Sequence, residues 1–408
     1  MRYIDFVNTK YRPKDTDLIC EFHVEPHDQP LDVIAGGVAA ESSIGTWTSL
    51  TTEKPYIHDK AATVYEIKGN EIKIAYPEAL FEPGNMPNIL SSIAGNVFGL
   101  EDIKYLRLNN IHFPEEIAKS FKGPKYGIEG VRKLTGVTER PLVGTIIKPK
   151  LGLVTKDHAE VAYNAWKGGC DVVKDDENLS SQRFNPFDER VIETLEARDR
   201  AESETGEKKV YLINVTAPME EMKRRADFVE DHGGRYMMID ILTTGWSSLQ
   251  AMRDLDLKLL IHAHRAGHAA FTRSHRHGIN MVVLAKVARL IGVDQLHVGT
   301  AVGKMAETRE EVLMNKEACV EPLYGIKPVL PIASGGLHPG MVPKLVEIFG
   351  KDTVIQAGGG IHGHPDGTVV GATALRQAVD AAMKGIPLKE YSKDHPALEK
   401  ALEKWPVL

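Results

Sequence analysis

A lysine and three carboxylates directly follow a short apolar run near the middle of the chain. Residues 170–178 read Cys-Asp-Val-Val-Lys-Asp-Asp-Glu-Asn, which is typical of a buried strand that ends in a charged pocket. Because side chains alternate along a strand, Lys174 and Asp176 share a face, and Glu177 follows where the strand turns out. The carboxylate oxygens of Asp176 and Glu177 are ligands of the kind that Mg²⁺ accepts.

Lys174 has two interpretations in this position, because an ammonium group cannot ligate a metal. In the first, the lysine makes ordinary salt bridges at the end of a strand. In the second, burial favours the neutral amine, which is a nucleophile and can take up CO₂ as a carbamate. The carbamate would be a third anionic oxygen ligand. The fragment by itself leaves both interpretations open.

The composition is that of an ordinary globular enzyme. The chain has 408 residues, of which 42% are hydrophobic and 26% charged, and its net charge is −6. This length predicts two domains, and the charge predicts no nucleic-acid or anionic membrane partner. The cysteines, Cys20, Cys170 and Cys319, are far apart and favour a reducing compartment. No run approaches the roughly 20 apolar residues of a membrane span, and the N-terminus lacks a signal-peptide core, so we expect a cytoplasmic protein.

From about residue 140, short β-rich runs alternate with amphipathic segments. The segments carry helix signals, such as the Asn185-Pro186 start and the Gly206 stop of the segment 185–205. Eight β-then-α units predict an α/β fold with a C-terminal (β/α)₈ (TIM) barrel, and a doubly wound sheet is the alternative. The eight runs are Leu142–Ile147, Asp171–Val173, Val210–Val215, Tyr236–Leu242, Leu259–His262, Gln295–Val298, Val329–Ile332 and Thr353–Gln356.

The first 120 residues have a different pattern, in which strands and helices are mixed. We predict a small α+β (ferredoxin-like) N-terminal domain over residues 1–120 and a barrel catalytic domain over residues 121–408, with a linker near 113–136. The strands expected in the first domain are Leu18–Val24, Ala62–Ile67 and Glu71–Ala75, and the helices lie near Leu31–Glu41 and Asn88–Phe98.

Polar residues gather at the predicted carboxyl ends of the barrel strands, where barrel enzymes place their active sites. Six of the eight runs end in cations, carboxylates or glycines that would point to one place. These ends are Lys148-Pro149-Lys150, Lys174–Glu177, His262-Ala263-His264-Arg265, His297, Ser334-Gly335-Gly336 and Gly358-Gly359-Gly360.

The glycines after the last two strands indicate a phosphate site made of backbone amides, although plain left-handed turns would also explain them. Arg265, His297 and Ser334 could seat a second phosphate. His262 and His264 are either a metal pair or hydrogen-bonded and proton-transfer groups. Neither a dinucleotide fingerprint nor a P-loop is present. A sugar bisphosphate enolised at a metal is therefore the predicted substrate class.

These motifs resemble the large subunit of ribulose-1,5-bisphosphate carboxylase/oxygenase (Rubisco) over essentially the whole chain, and most closely its archaeal form III members. The resemblance implies Mg²⁺-dependent carboxylation of ribulose 1,5-bisphosphate with CO₂ to two molecules of 3-phosphoglycerate, and oxygenation with O₂, by way of an enediolate. The matching stretches are 40–48, 93–99, 148–150, 169–178, 262–268, 297–304, 334–338 and 358–365.

The resemblance also implies a role for each matching residue. Lys174, carbamylated by CO₂, would hold Mg²⁺ with Asp176 and Glu177. Lys148 would protonate the late carbanion, His264 would assist proton transfer, and Lys304 would stabilise the new carboxylate. The implied substrate-binding residues are Glu41, Thr46, Trp47, Asn96, Lys150, Arg265, His297, Ser334, Gly336, Gly358 and Gly359.

The same resemblance implies a homodimer, or a higher homo-oligomer of dimers, without a small subunit. In the family, the N-terminal domain completes the neighbouring subunit's site, here through Glu41, Thr46 and Asn96. Two stretches depart from the family pattern. Residues 305–309 read Met-Ala-Glu-Thr-Arg where an acidic-glycine step is usual, and residues 361–362 read Ile-His where threonine-leucine is usual.

Three other functions fit the sequence less well. A Rubisco-like protein, acting as a sugar-phosphate enolase or isomerase in salvage, would lose some carboxylation residues, yet Lys304, Thr46 and His297 are all present. An amidohydrolase would carry its His-x-His pair on the first strand, whereas this chain has it on the fifth. A non-catalytic scaffold would have no use for so many buried charges, which are costly to keep.

Overall fold

The structure is a computed structural model that describes residues 1–303 and 307–408. The chain forms two compact units. The first comprises residues 1–123, 267–291 and 322–326, and the second comprises 124–266, 292–321 and 327–408. The units therefore do not divide the chain at a single point, and the domain boundary at residues 120 and 121 stays a prediction.

The strands are numbered along the chain. They are β1 (Leu18–Pro26), β2 (Thr63–Lys68), β3 (Glu71–Tyr76), β4 (Ile103–His112), β5 (Leu142–Ile146), β6 (Val172–Lys174), β7 (Val210–Asn214), β8 (Tyr236–Asp240), β9 (Leu260–His264), β10 (Gly278–Ile279), β11 (Gln295–His297), β12 (Leu330–Ser334) and β13 (Val354–Gln356).

The helices are numbered in the same way. The α-helices are α1 (Leu31–Glu41), α2 (Met86–Ile93), α3 (Glu115–Lys119), α4 (Gly127–Thr135), α5 (Thr155–Lys167), α6 (Phe187–Thr205), α7 (Met219–Asp231), α8 (Ile241–Thr244), α9 (Trp246–Asp254), α10 (Ala269–Thr272), α11 (Met281–Ile291), α12 (Arg309–Val320), α13 (Val342–Phe349), α14 (Gly359–His362), α15 (Thr368–Met383), α16 (Leu388–Tyr391) and α17 (Pro396–Lys404). Short 3₁₀ helices occupy Tyr3–Phe6, Pro55–Lys60, Glu78–Leu80, Asn96–Gly99, Pro339–Met341 and Ser392–Asp394.

The first unit is built on a sheet in the order β10-β4-β1-β3-β2, in which β1 pairs antiparallel with both β3 and β4. Burial alternates along β1, so one face of the strand packs inward. The helix α1 contacts this sheet and buries most of its length from Ile34 to Ala40. The predicted small α+β domain is confirmed in this unit.

The second unit contains a closed barrel in the order β11-β12-β13-β5-β6-β7-β8-β9, and its strand pairs are parallel. The predicted (β/α)₈ barrel is therefore confirmed, and each predicted run lies within two residues of an observed strand. The apolar core at the amino-terminal end of the barrel includes Val131 of α4 together with residues near the starts of the strands. These are Leu142, Val172, Val210, Leu212, Tyr236, Leu260, Leu330, Ile332 and Val354.

Val131 of α4 packs where the strands begin, and polar side chains collect at the opposite end of the barrel, where the strands end. The stretch 113–136, expected to be a linker, contains α3 and α4, and the chain passes from the first unit to the second inside it, between residues 123 and 124. Among the described residues, no helix has both the length and the apolar character to cross a membrane.

Candidate active site

Lys174 ends strand β6 inside the barrel mouth, where its side chain is only 1% exposed. Its ammonium nitrogen donates to the carbonyl of Asp175 at 2.6 Å and lies 3.4 Å from Oε2 of Glu177. The sulfur of Met238, on β8, lies 3.3 Å from the same nitrogen. The lysine thus lies beside one predicted metal ligand.

Lys148 reaches the same place from the neighbouring strand. Ile146 of β5 lies opposite Lys174 of β6, so Lys148 emerges two residues beyond the paired position. Its Nζ donates to Oδ2 of Asp176 at 2.7 Å, and Asp176 is 1% exposed. The structure therefore brings both lysines and both carboxylates together, as the sequence predicts.

Asp175 was not singled out from the sequence, yet it is fully buried between the two predicted ligands. Strand alternation turns it to the opposite side, where it accepts hydrogen bonds from the Tyr211 hydroxyl and the Asn214 amide. His158 and Arg190 lie 3.1 and 3.3 Å from its oxygens. Burial alone would raise the pKa of Asp175, but Arg190 and then His158 outweigh it and lower the pKa. This anchor fixes the backbone that carries the site.

Three histidines stand in a row across β9 and β11. Nε2 of His262 lies 2.9 Å from Nε2 of His297, and Nδ1 of His297 lies 2.7 Å from the Ser334 hydroxyl. His264 packs edge-on against His297, with ring centroids 4.8 Å apart. Burial lowers the pKa values of His262 and His297 well below their ordinary value, so both rings are neutral near pH 7.

His264 joins this row to the predicted metal ligands. Its Nε2 lies 3.6 Å from Glu177 Oε2, and its Nδ1 lies 3.0 Å from Asp240 Oδ1. The second contact follows from strand register, because Asp240 and His264 are direct partners across β8 and β9. Burial alone would raise the pKa of Glu177, but the charges of Lys174 and then His264 outweigh it and lower the pKa to about 2. Glu177 is therefore an anion ready to act as a ligand.

Arg265 is buried, and its guanidinium is paired with Glu307, which belongs to the stretch 305–309 that departs from the family pattern. Nη1 lies 2.5 Å from Oε1 of Glu307, and Nη2 lies 2.8 Å from Oε2. The ion pair thus uses two parallel hydrogen bonds, the arrangement in which arginine also holds phosphate.

The glycines of the last two strand ends differ in how strongly their surroundings favour glycine. Gly336 has φ +74°, a left-handed conformation that favours glycine. Gly358 has φ −86°, but a Cβ there would lie 3.2 Å from Cε of Lys148. A Cβ on Gly360 would lie 2.2 Å from the carbonyl oxygen of Leu337, so the two loops touch through backbone. Gly359 is exposed at the start of α14.

His362, at the end of α14, is a further residue of the barrel mouth. Its Nε2 lies 3.0 Å from the carbonyl oxygen of Ile146 and 3.0 Å from the Thr145 hydroxyl. Its Nδ1 lies 3.1 Å from the hydroxyl of Thr368, the first residue of α15. The ring therefore ties the end of β5, which leads to Lys148, to the glycine turn. The sequence marked it only as a departure from the family pattern.

The remaining predicted residues are Lys150, Lys304 and four residues of the first unit. Lys150 is exposed two residues beyond Lys148. Lys304 lies outside the described residues. In the first unit, Glu41 accepts a hydrogen bond of 2.7 Å from the Tyr3 hydroxyl. The other three lie in the same unit: Thr46 and Trp47 line a cavity with Tyr3, and Asn96 is exposed at the start of a 3₁₀ helix.

The donor set at the barrel mouth is suited to a hard cation only if Lys174 becomes an anion. Among residues 1–303 and 307–408, no group of three or more His, Cys, Asp and Glu side chains is placed to hold a metal ion. Two carboxylates, Asp176 and Glu177, supply hard oxygens, and Lys174 stands where a third would be needed. A carbamate on this buried lysine would complete the set, so the residues fit Mg²⁺ together with CO₂.

Two family models divide the chain between them. Residues 5–117 match the ribulose bisphosphate carboxylase large chain N-terminal domain, and residues 127–405 match the catalytic domain of the same large chain. The chain belongs to the Rubisco large-chain family. Its Rubisco relatives include ribulose bisphosphate carboxylase of Pyrococcus abyssi, which is 51% identical over 100% of this chain and 97% of the relative. That of Methanocaldococcus jannaschii is 50% identical over 98% and 100%.

Solved Rubisco structures have the same fold. The octameric Rubisco of Pyrococcus horikoshii, in complex with sulfate ion, superposes with a TM-score of 0.96 at 51% identity and covers 99% of this chain and 97% of its own. The dimeric archaeal Rubisco of Hyperthermus butylicus superposes with a TM-score of 0.93 at 45% identity over the full length of both chains. The resemblance inferred from the motifs is confirmed.

Proposed function

We propose that this chain is a ribulose-bisphosphate carboxylase, which converts ribulose 1,5-bisphosphate, CO₂ and water into two molecules of 3-phosphoglycerate and also reacts with O₂. The observation that carries the proposal is the buried Lys174 beside Glu177 at the mouth of a barrel that belongs to the Rubisco family. Membership of the family gives the substrate class, and the cluster gives the residues that would act on it.

The proposed metal site consists of Asp176, Glu177 and a carbamate on Lys174. The ammonium of Lys174 would first lose one proton, and the neutral amine would then add to CO₂ with loss of a second proton, so that a carbamate anion replaces the cation. This change removes the like-charge repulsion that an ammonium would exert on a divalent cation. Mg²⁺, when bound, would supply Lewis-acid stabilisation of negative charge on the substrate's oxygens.

The surrounding side chains are proposed to position the substrate and move protons. Lys148, held 2.7 Å from Asp176, is a proton donor beside the reacting carbons. His264, 3.6 Å from Glu177, would assist proton transfer during hydration. Lys304 would stabilise the new carboxylate, and Lys150 would polarise the carbon centre.

The proposed phosphate sites lie on two sides of this centre. Arg265, His297 and Ser334 would bind one phosphate, and the 2.7 Å contact between His297 and Ser334 supports their grouping. Thr46, Gly336, Gly358 and Gly359 would bind the other, with Trp47 nearby. Gly359 is exposed at the first position of α14.

The proposed assembly is a homo-oligomer built from dimers without a small subunit, because the solved relatives are described as octameric and dimeric. Glu41, Thr46 and Asn96 would complete the site of a neighbouring subunit. The location in the cytoplasm stays a prediction.

The direct test is incubation of the purified protein with ribulose 1,5-bisphosphate, Mg²⁺ and labelled bicarbonate. We expect label to enter 3-phosphoglycerate. Consumption or isomerisation of the sugar phosphate without labelled product would instead indicate an enolase or isomerase of the Rubisco-like kind and would contradict the proposal.

A further inference from the structure

In this structure, Arg265 is paired with a carboxylate of its own chain and not with the phosphate that it is proposed to bind. Its guanidinium donates two parallel hydrogen bonds to Glu307, at 2.5 and 2.8 Å, and the two side chains are 7% and 15% exposed. A guanidinium has five N–H donors, and this pair uses one on each terminal nitrogen. A carboxylate of the chain itself therefore occupies the end of the guanidinium and neutralises its charge.

We propose that Glu307 is a resident competitor that the substrate's phosphate must displace from Arg265. The inference rests on the proposed function, in which Arg265 binds a phosphate of ribulose 1,5-bisphosphate. The carboxylate and the phosphate cannot share the same two N–H groups. A dianion held against the Glu307 carboxylate would also be repelled, because like charges within about 4 Å oppose each other strongly in a partly buried site. Binding of phosphate at this end of Arg265 is therefore linked to departure of Glu307.

The backbone around Glu307 is shaped to receive its carboxylate. Gly299 has φ +96°, and a Cβ there would lie 2.7 Å from Oε2 of Glu307. One residue after Glu307, Thr308 caps α12 and exchanges hydrogen bonds with Glu311, so the chain is fixed at that point. The carboxylate can consequently leave Arg265 by rotation of its own side chain, while α12 stays in place.

The competition sets the apparent affinity of the site. If the donors of Arg265 are free in about one molecule in ten, the apparent affinity for phosphate is about tenfold weaker than the intrinsic one. Phosphate binding and release of Glu307 are then linked, and removal of the carboxylate should strengthen the binding of any phosphate at Arg265.

Glu307→Gln tests this directly, because glutamine keeps the shape of the side chain and loses its charge. We expect inorganic phosphate, titrated calorimetrically into the purified protein, to bind about tenfold more tightly to the variant. We expect KM for ribulose 1,5-bisphosphate to fall by a similar factor, with kcat changed less than about twofold. Glu307→Asp keeps the charge on a shorter side chain and should give an intermediate gain.

The matched control is Glu310→Gln, which removes the same charge from an exposed position in the first turn of α12. Equal gains in Glu307→Gln and Glu310→Gln would show a general charge effect and overturn the inference, as would no gain in Glu307→Gln. If Glu307→Gln does not fold, parent-like phosphate affinity in Glu307→Asp overturns it in the same way. A parent protein without carboxylase activity would contradict the proposed function and not this inference. The phosphate titration would still decide whether the Glu307 carboxylate competes with phosphate for Arg265.

Discussion

Individual histidines at the barrel mouth are held neutral by their surroundings, which makes the free energy of unfolding depend on pH. Burial lowers the pKa of His362 from 6.5 to about 4, and Lys148 adds to the effect, although the hydrogen bond to Ile146 opposes it. Because the unfolded chain binds a proton that the folded chain does not, the stability from this residue is present above about pH 6.5. It is lost progressively as the pH falls toward 4.

His362→Gln should therefore flatten the acid side of the stability profile. In the parent, this one residue contributes a slope of up to about 1.4 kcal/mol per pH unit between roughly pH 6.5 and 4. Denaturation midpoints of parent and variant, measured by circular dichroism at pH 7 and pH 5, should converge at the lower pH. The exposed His232, changed to glutamine, is the control and should leave the parental slope in place. A parental slope in His362→Gln would contradict the assignment.

The residues of the site differ in how far the sequence could reveal them. Lys174 and Asp176 were predictable because a strand followed by charges fixes which side chains share a face. Asp175 was not singled out, because its partners His158 and Arg190 come from α5 and α6, the helices before and after β6, and only the fold brings them into contact. Glu307 was equally hidden as the partner of Arg265, since 42 residues separate the two in the chain.

At the scale of elements, the barrel strands were predictable and the short helices were not. Apolar runs bounded by turn residues mark strands such as β7 and β12 by themselves. The helix α4 lies in the stretch 113–136, which was predicted to be a linker. Its position depends on burying Val131 against the starts of the barrel strands, which is a tertiary contact that local pattern does not show.

The contact between α5 and α15 depends on a glycine that local conformation does not require. Gly168 ends α5 with φ −74°, which any residue can adopt, but a Cβ there would lie 2.3 Å from the carbonyl oxygen of Val369 and 2.7 Å from Cβ of Ala372. Because backbone cannot yield cheaply, Gly168→Ala should reduce the free energy of unfolding by about 2 kcal/mol.

The control for this prediction is Gly99→Ala, since a Cβ at Gly99 meets no atom within 4 Å. Denaturant titration should separate the two variants, with Gly99→Ala close to the parent. Equal stability of Gly168→Ala and the parent would mean that the two helices can move apart without cost.

At the scale of the whole molecule, the proposed site draws on residues from both parts of the sequence. Glu41, Thr46 and Asn96 belong to the match with the N-terminal family domain, whereas Lys174 and its neighbours belong to the catalytic domain. The single sequence could suggest a shared site only by resemblance, because an interface depends on two surfaces that no local pattern defines.

Subunit sharing predicts complementation between two inactive variants, Asn96→Ala and Lys174→Ala. Co-expressed, about half of the dimers should be mixed, and each mixed dimer should contain one site in which both residues are intact. About a quarter of the parental carboxylase activity should return. Absence of recovery in dimers proven to be mixed would show that each subunit builds its site from its own residues.

The most direct test of the account is the activation of Lys174 by CO₂. The initial rate of 3-phosphoglycerate formation should be high only after preincubation with CO₂ and Mg²⁺ together, and activation should be faster at mildly alkaline pH, because the amine must lose its proton to react. Lys174→Ala should fold and remain inactive under every preincubation. Two results would contradict the carbamate at the centre of the proposed site. One is full turnover by Lys174→Ala, and the other is a full initial rate in a parent protein that was not preincubated with CO₂.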